Sequence, residues 1–228
     1  MSVRKEPFIT NYIYHVFNKT IDDKQIFKSN HYSSEFYQRL VYYRSSKSEQ
    51  SFSKLRFLSN ETLLELQLQT SLRKNFRVDI LNYSLMPNHF HLLVKQLTDA
   101  GITEYISQVI NSFTRYFNLK NGRKGQIFLH DFKATMIKTD EQLIHTSRYI
   151  DLNPFSSGIV TSVKDLESYK WGGYRAYIDG DYPESLVNTK PILKMFDNDR
   201  ERYKEFVLDR ADYQKSLEII KHPSKNWH

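Results

Sequence analysis

Two histidines one residue apart open an apolar run, His89-Phe90-His91-Leu92-Leu93-Val94, directly after a Pro87-Asn88 break. On a β-strand alternate side chains share a face, so His89 and His91 point the same way with Phe90 behind them. Two imidazoles on one face offer themselves to one cation. A second pair, Tyr149 and Asn153, is four residues apart. On a helix that spacing puts them on one face, one turn apart. Two imidazoles and one amide oxygen would give a metal three protein ligands and leave positions open for water or a phosphate oxygen, which suits Mn²⁺ or Mg²⁺. A metal so placed polarises a phosphodiester, and a tyrosine oxygen can be the covalent nucleophile on phosphorus. Tyrosine ordinarily keeps its proton to about pH 10, so attack needs a proton acceptor, which the sequence does not identify. Taken singly the features are ordinary, because most tyrosines and many histidines only pack. The spacing therefore leaves metal chemistry and plain packing both open.

Composition narrows the classes. There is no cysteine, which excludes disulfides, thiolate zinc sites and cysteine nucleophiles. Glycine is scarce, so no Gly-rich phosphate loop dominates. The net charge of +7 favours polyanionic partners, nucleic acid first among them. No run approaches the roughly 18 apolar residues of a membrane span, and Met1 to Pro7 lacks the apolar core of a signal peptide. The expectation is a soluble cytoplasmic protein.

The two pairs must be held by the elements around them. Residues 8–18 alternate as a strand, in which His15 reads as a satisfied sheet histidine. Phe36, Leu40 and Tyr43 predict a helix over 30–43, and the serine-rich 44–51 a loop. A leucine-rich helix follows over 59–73, capped by Ser59 or Asn60. Residues 76–85 and 89–96 form an antiparallel hairpin about Pro87-Asn88, with the histidines on the return strand. The clearest apolar stripe, Ile102 to Phe117, predicts a helix over 102–119, and 132–138 a further strand. Thr139 with Gln142 has the spacing of a capping box, and Pro154 predicts that this helix ends near 152–153. Residues 169–177 read as an aromatic turn segment, 189–195 and 199–210 as helices, and the last ten or so as a polar, poorly ordered end. The order predicts an α+β fold with an antiparallel sheet of the split-βαβ kind. A domain over 1–178 and a C-terminal helical extension over 179–228, packed on it, are expected.

The stretch Tyr83-Ser84-Leu85-Met86-Pro87-Asn88-His89-Phe90-His91-Leu92-Leu93-Val94 closely resembles the hallmark of the IS200-like single-tyrosine transposases, members of the His-hydrophobe-His endonuclease superfamily. Tyr14-His15-Val16-Phe17-Asn18 resembles their first strand, Phe113-Thr114-Arg115-Tyr116-Phe117-Asn118 the following helix, and Gly125-Gln126-Ile127-Phe128 to Phe132-Lys133 the connection. Arg148-Tyr149-Ile150-Asp151-Leu152-Asn153-Pro154 is similar to the tyrosine helix in the form typical of the REP-associated branch, and Tyr169 to Tyr174 to the aromatic segment after it. The resemblance implies a ferredoxin-like palm, metal ligands at His89, His91 and Asn153, and a nucleophile at Tyr149. It implies cleavage and rejoining of single-stranded DNA beside hairpins through a 5′-phosphotyrosine link, with Mg²⁺ or Mn²⁺ as cofactor. Arg115, Lys120, Arg123, Lys124, Lys133 and Arg148 are the candidate DNA contacts, each of which could equally be a solvated charge. Insertion-sequence members are dimers and REP-associated relatives can act as monomers; the expectation leans to a homodimer. The alternative on the same fold is a hairpin DNA- or RNA-binding module without catalysis, and a third reading is a metal nuclease that uses water. Residues 44–60 do not align with the family, and 179–228 do so only loosely.

Overall fold

In the computed structural model, residues 7–183 and 185–221 are described. Four strands, β1 (Ile13–Lys19), β2 (Val78–Met86), β3 (His89–Gln96) and β4 (Lys133–Ile137), form an antiparallel sheet in the order β2-β3-β1-β4. This is the split-βαβ order, and it puts β3 inside the sheet with a neighbour on each side. The β2–β3 connection is the two-residue Pro87-Asn88 turn, and β2 is buried along its whole length.

The chain divides into two compact units. The first comprises residues up to 79 together with 87–89 and 94–136. Here α1 (Asn30–Tyr43) and α3 (Gly101–Lys120) pack together. The Ser29 side chain accepts the Tyr32 N–H and caps α1. Gly101 starts α3 against Arg77, where a Cβ would lie 2.5 Å from the Arg77 carbonyl oxygen, so any larger residue forces that approach apart. Phe36 meets Phe27 at 4.9 Å and Phe113 at 5.2 Å between ring centroids, edge-on in both cases. The buried Arg39 crosses between the helices. Its guanidinium donates to the Glu35 carboxylate at 2.7 Å and to Ser112 Oγ at 3.2 Å, between the rings of Phe52 and Tyr116. The helix α2 (Asn60–Ser71) is capped by Ser59 as expected, but its leucines do not form a core stripe: Leu64 and Leu68 are exposed.

On β1, Tyr14, Val16 and Asn18 are buried and His15 lies on the other, half-buried face. Burial lowers the His15 pKa from 6.5 to about 4. Between those values the unfolded chain binds a proton that the folded chain refuses. The stability linked to His15 is therefore complete above about pH 6.5 and is lost as the pH falls toward 4. The ring keeps some exposure, so we expect a loss on the order of 2 kcal/mol. Urea unfolding of His15→Gln across pH 4.5–7 should show a shallower acid slope than the wild type, and equal slopes would exclude His15 as the group responsible.

The second unit comprises 80–86, 90–93 and the residues from 137 on. Its main helix, α4 (Asp140–Ser156), packs on α7 (Arg200–Leu208) and α8 (Ala211–Lys221). The expected cap is present: Thr139 accepts the Gln142 N–H, while the Gln142 side chain accepts the N–H of Lys138, one residue ahead of the cap. Contrary to expectation, α4 does not stop before Pro154 but runs through it to Ser156. The ring removes one N–H near the helix end, and the last turn is closed behind it. Ser157 N–H bonds to Asn153, Ile159 N–H bonds to the Pro154 carbonyl, and Gly158 takes a positive φ.

The aromatic segment is more than a turn. It runs along β2, with Leu85 N–H to the Trp171 carbonyl at 2.8 Å and Gly173 N–H to the Tyr83 carbonyl at 2.9 Å, before Tyr174–Ile178 coil into the short helix α5. Tyr169 and Tyr177 donate their hydroxyls to the Leu85 and Leu81 carbonyls. The end strand of the sheet is thereby covered, which removes an open edge. The expected helix at 189–195 is α6 (Lys190–Leu193) with a 3₁₀ turn after it, and the one at 199–210 is α7. The end read as poorly ordered begins as the last turn of α8, through Lys221; its remainder lies outside the described residues.

Candidate active site

Strand β3 begins at His89, and the two-residue repeat sends the His89 and His91 side chains from the same face. His89 Nδ1 lies 2.7 Å from Asn88 Oδ1, and Asn88 Nδ2 donates to Asp23 Oδ1 at 2.7 Å. Because the amide nitrogen is committed to Asp23, the amide oxygen faces His89 and accepts its Nδ1 proton. That puts the proton on Nδ1 and leaves Nε2 unprotonated, the tautomer that a metal-ligating histidine needs.

In the second unit His91 is 6% exposed and meets the half-buried Tyr149 edge-on, with ring centroids 5.7 Å apart at 90°. Asn153 is buried on the same flank of α4 as Tyr149, and its Nδ2 is buried with no hydrogen-bond partner. A buried amide left without a partner costs on the order of 1–3 kcal/mol, and such a group normally has a use. Turned about its last bond, the amide would place its oxygen at the same point, where a cation would satisfy it. Among the described residues no group of three or more His, Cys, Asp or Glu side chains could hold a metal.

The basic candidates fall into two groups. Arg115, Lys120, Lys124 and Lys133 are exposed. Arg123 is held by Asn118 Oδ1 at 2.8 Å and by the Gln126 carbonyl. Arg148 lies on the Phe206 ring and bonds to His145 and the Phe206 carbonyl, with burial lowering its pKa. Both guanidiniums are half-buried and bonded within the fold. Nearby aromatic side chains are engaged as well: Trp171 is buried, and the Tyr116 hydroxyl lies 2.6 Å from His31 Nε2.

The antiparallel split-βαβ sheet, with the histidine pair on its interior strand and Tyr149 of α4 against His91, agrees with the palm that the sequence resemblance implies. Residues 8–153, more than half of the chain, match the family model of the IS200-like transposases, and the chain belongs to that family. A DNA-processing, transposase-type role follows from this membership. The fold is also that of a solved REP-associated tyrosine transposase bound to a REP hairpin, with a TM-score of 0.52 over 82% of this chain and 92% of that one at 16% identity. None of the curated proteins matches the sequence. Among the described residues no helix is long and apolar enough to cross a membrane.

Two residues near the site carried no role in the sequence reading. Asn88 was read as turn chemistry, yet its side chain orients His89. Asp151 lies inside the tyrosine motif, fully buried, with burial raising its pKa to about 7. A lone carboxylate between apolar neighbours on a buried helix was the one available signal.

Proposed function

We propose that the protein cuts and rejoins single-stranded DNA next to hairpins by tyrosine transesterification. The observation that carries this reading is the edge contact of His91 with Tyr149, with the unpartnered Asn153 Nδ2 on the same flank of α4. His89, His91 and Asn153 would hold Mn²⁺ or Mg²⁺, their imidazole and amide donors suiting an ion that keeps open positions. When bound, the ion would supply positive charge to polarise the phosphodiester. The Tyr149 oxygen, giving up its proton, forms a bond to phosphorus as the P–O3′ bond breaks. The departing 3′ oxygen takes up a proton, and Tyr149 is left on the 5′ phosphate. A second 3′ hydroxyl can later attack that phosphorus and return Tyr149 to its free state. The solved relative carries a REP hairpin, which supports hairpin-bearing DNA as the substrate here. The exposed Arg115, Lys120, Lys124 and Lys133 would meet its phosphates, making affinity fall with salt. His91 and Tyr149 meet within one chain, so the reading does not depend on the homodimer expected from insertion-sequence relatives.

The test is incubation with hairpin-bearing single-stranded DNA and Mn²⁺ or Mg²⁺, followed by denaturing electrophoresis. The reading expects an SDS-resistant protein–DNA adduct that forms only with metal. Binding without cutting under either ion would replace it with a non-catalytic hairpin-binding module. Asn88→Ala is a finer probe. Losing the partner of His89 Nδ1 should raise the Mn²⁺ concentration for half-maximal adduct roughly 10–100-fold. An unchanged metal requirement would mean that His89 needs no orienting partner.

A further inference from the structure

The helix that carries Tyr149 is held from behind. At about 100° per residue, Ser147 and Asp151 stand on one flank of α4 and Tyr149 and Asn153 about 200° away on the other. On the Tyr149 flank the Asn153 Nδ2 has no hydrogen-bond partner, whereas the Ser147 and Asp151 side chains are each bonded. Asn82 on β2 donates from Nδ2 to Asp151 Oδ1 and to Ser147 Oγ, both at 2.8 Å. Ser147 Oγ donates to the Tyr203 hydroxyl at 2.7 Å, and that hydroxyl donates to Asp151 Oδ2 at 2.5 Å. The bonds close a ring through a strand and two helices, and Asn82, Ser147, Asp151 and Tyr203 are each 0–3% exposed.

The ring is itself braced. Asn82 Oδ1 accepts the Tyr83 N–H at 2.8 Å, which fixes the amide so that its nitrogen faces α4. Gly173 admits this arrangement, because a Cβ there would lie 2.3 Å from Asn82 Oδ1. Tyr203 stacks on Tyr177 at 4.5 Å, and Tyr177 is tied by its hydroxyl to the Leu81 carbonyl. A second tie comes from α8, where Gln214 Nε2 donates to the Tyr149 carbonyl at 3.1 Å.

A buried polar network costs more to bury than an apolar contact of the same volume, and what it supplies in return is a unique geometry. Apolar packing would let α4 roll or slide by fractions of an ångström, whereas bonds to two fixed residues do not. In-line attack on phosphorus is sensitive to displacements of that size. We propose that Asn82, Asp151 and Tyr203 are positioning residues for Tyr149, and that the C-terminal helix α7 belongs to the catalytic apparatus because it supplies one of them. This rests on the transesterification reading for its catalytic consequence, but not for its statement about α4.

Tyr203→Phe tests it. The variant keeps the stack on Tyr177 while removing the donor to Asp151 and the acceptor for Ser147. Three quantities are read at a temperature where circular dichroism shows the variant fully folded: the single-turnover adduct rate at saturating hairpin DNA, the dissociation constant for that DNA, and amide exchange by mass spectrometry. The expected result is a rate lowered about 10–100-fold, a dissociation constant changed less than about twofold, and exchange of the α4 amides raised at least about tenfold while α3 stays unchanged. Unchanged α4 exchange, or raised exchange with an unchanged rate, overturns the proposal. So does a loss of affinity that matches the loss of rate. If the wild type forms no adduct, the transesterification reading falls, and exchange alone then decides whether the ring holds α4. Where Tyr203→Phe proves unfolded, Asp151→Asn is read in the same way, since it keeps an oxygen for one donor and loses the other.

Discussion

Tyr149→Phe should bind hairpin DNA as the wild type does and leave it uncut. The substitution removes one oxygen. The ring that meets His91 edge-on remains, and the backbone carbonyl held by Gln214 is untouched, so α4 should keep its place. What disappears is the atom that, on the proposed mechanism, would form the bond to phosphorus. Loss of a covalent nucleophile takes with it the whole advantage of dividing the reaction into two steps, so adduct formation should fall by roughly 10⁴-fold or more. Affinity, which the proposed phosphate contacts elsewhere would carry, should change less than about twofold. The paired measurement is adduct yield on a denaturing gel and hairpin affinity by fluorescence anisotropy. Metal-dependent cutting that survives in Tyr149→Phe without an adduct would mean that water is the nucleophile and that the tyrosine only packs.

The parts of this arrangement differ in how far the sequence discloses them. Strand β3 and its turn are legible because their signals are local. Pro87-Asn88 ends one alternating run and His89 opens the next, so register and face follow from counting. The same holds for α3, whose apolar stripe runs its full length, and for the Thr139 cap of α4. The end of α4 is misread because the local rule about proline is overridden. The carbonyls of the last turn, Asn153, Pro154 and Phe155, are met by N–H groups beyond the helix, and the buried faces of Ile150, Leu152 and Phe155 favour its continuation. The leucines of α2 mislead in the opposite sense, since a leucine-rich helix announces burial and two of them face outward. Long-range pairing is illegible altogether. Nothing near Trp171 or Gly173 says that their backbone will run along β2, or that Asn82 will need the space that a side chain at Gly173 would fill. Tyr203-Lys204-Glu205-Phe206 carries the loose family likeness of the C-terminal part, yet for the same reason its own segment does not disclose that the Tyr203 hydroxyl closes the ring behind Tyr149.

His91→Ala and His89→Ala should each reduce adduct formation by roughly 10³-fold, and chelation of divalent ions should do so in the wild type. If His89, His91 and Asn153 hold the ion as proposed, removing one imidazole would leave two donors, too few to hold an ion that water binds well. The two histidines should nevertheless differ in a second measurement. His91 is 6% exposed and packs against Tyr149, so its loss opens a cavity beside the tyrosine. His89 is half-buried and hydrogen-bonded to a turn residue, so its loss removes little packing. His91→Ala should lower the melting temperature by several degrees, about 1–2 kcal/mol of stability, and His89→Ala by much less. Asn153 separates ligation from packing more sharply still. Asn153→Asp keeps an oxygen donor and adds charge that only a cation would offset. Without metal it should be less stable than the wild type, and saturating Mn²⁺ should restore the difference, because an ion that binds the folded state alone stabilises it. If Mn²⁺ leaves the melting temperatures of the wild type and of Asn153→Asp equally unmoved, the amide is no ligand, and its unpartnered nitrogen needs another explanation.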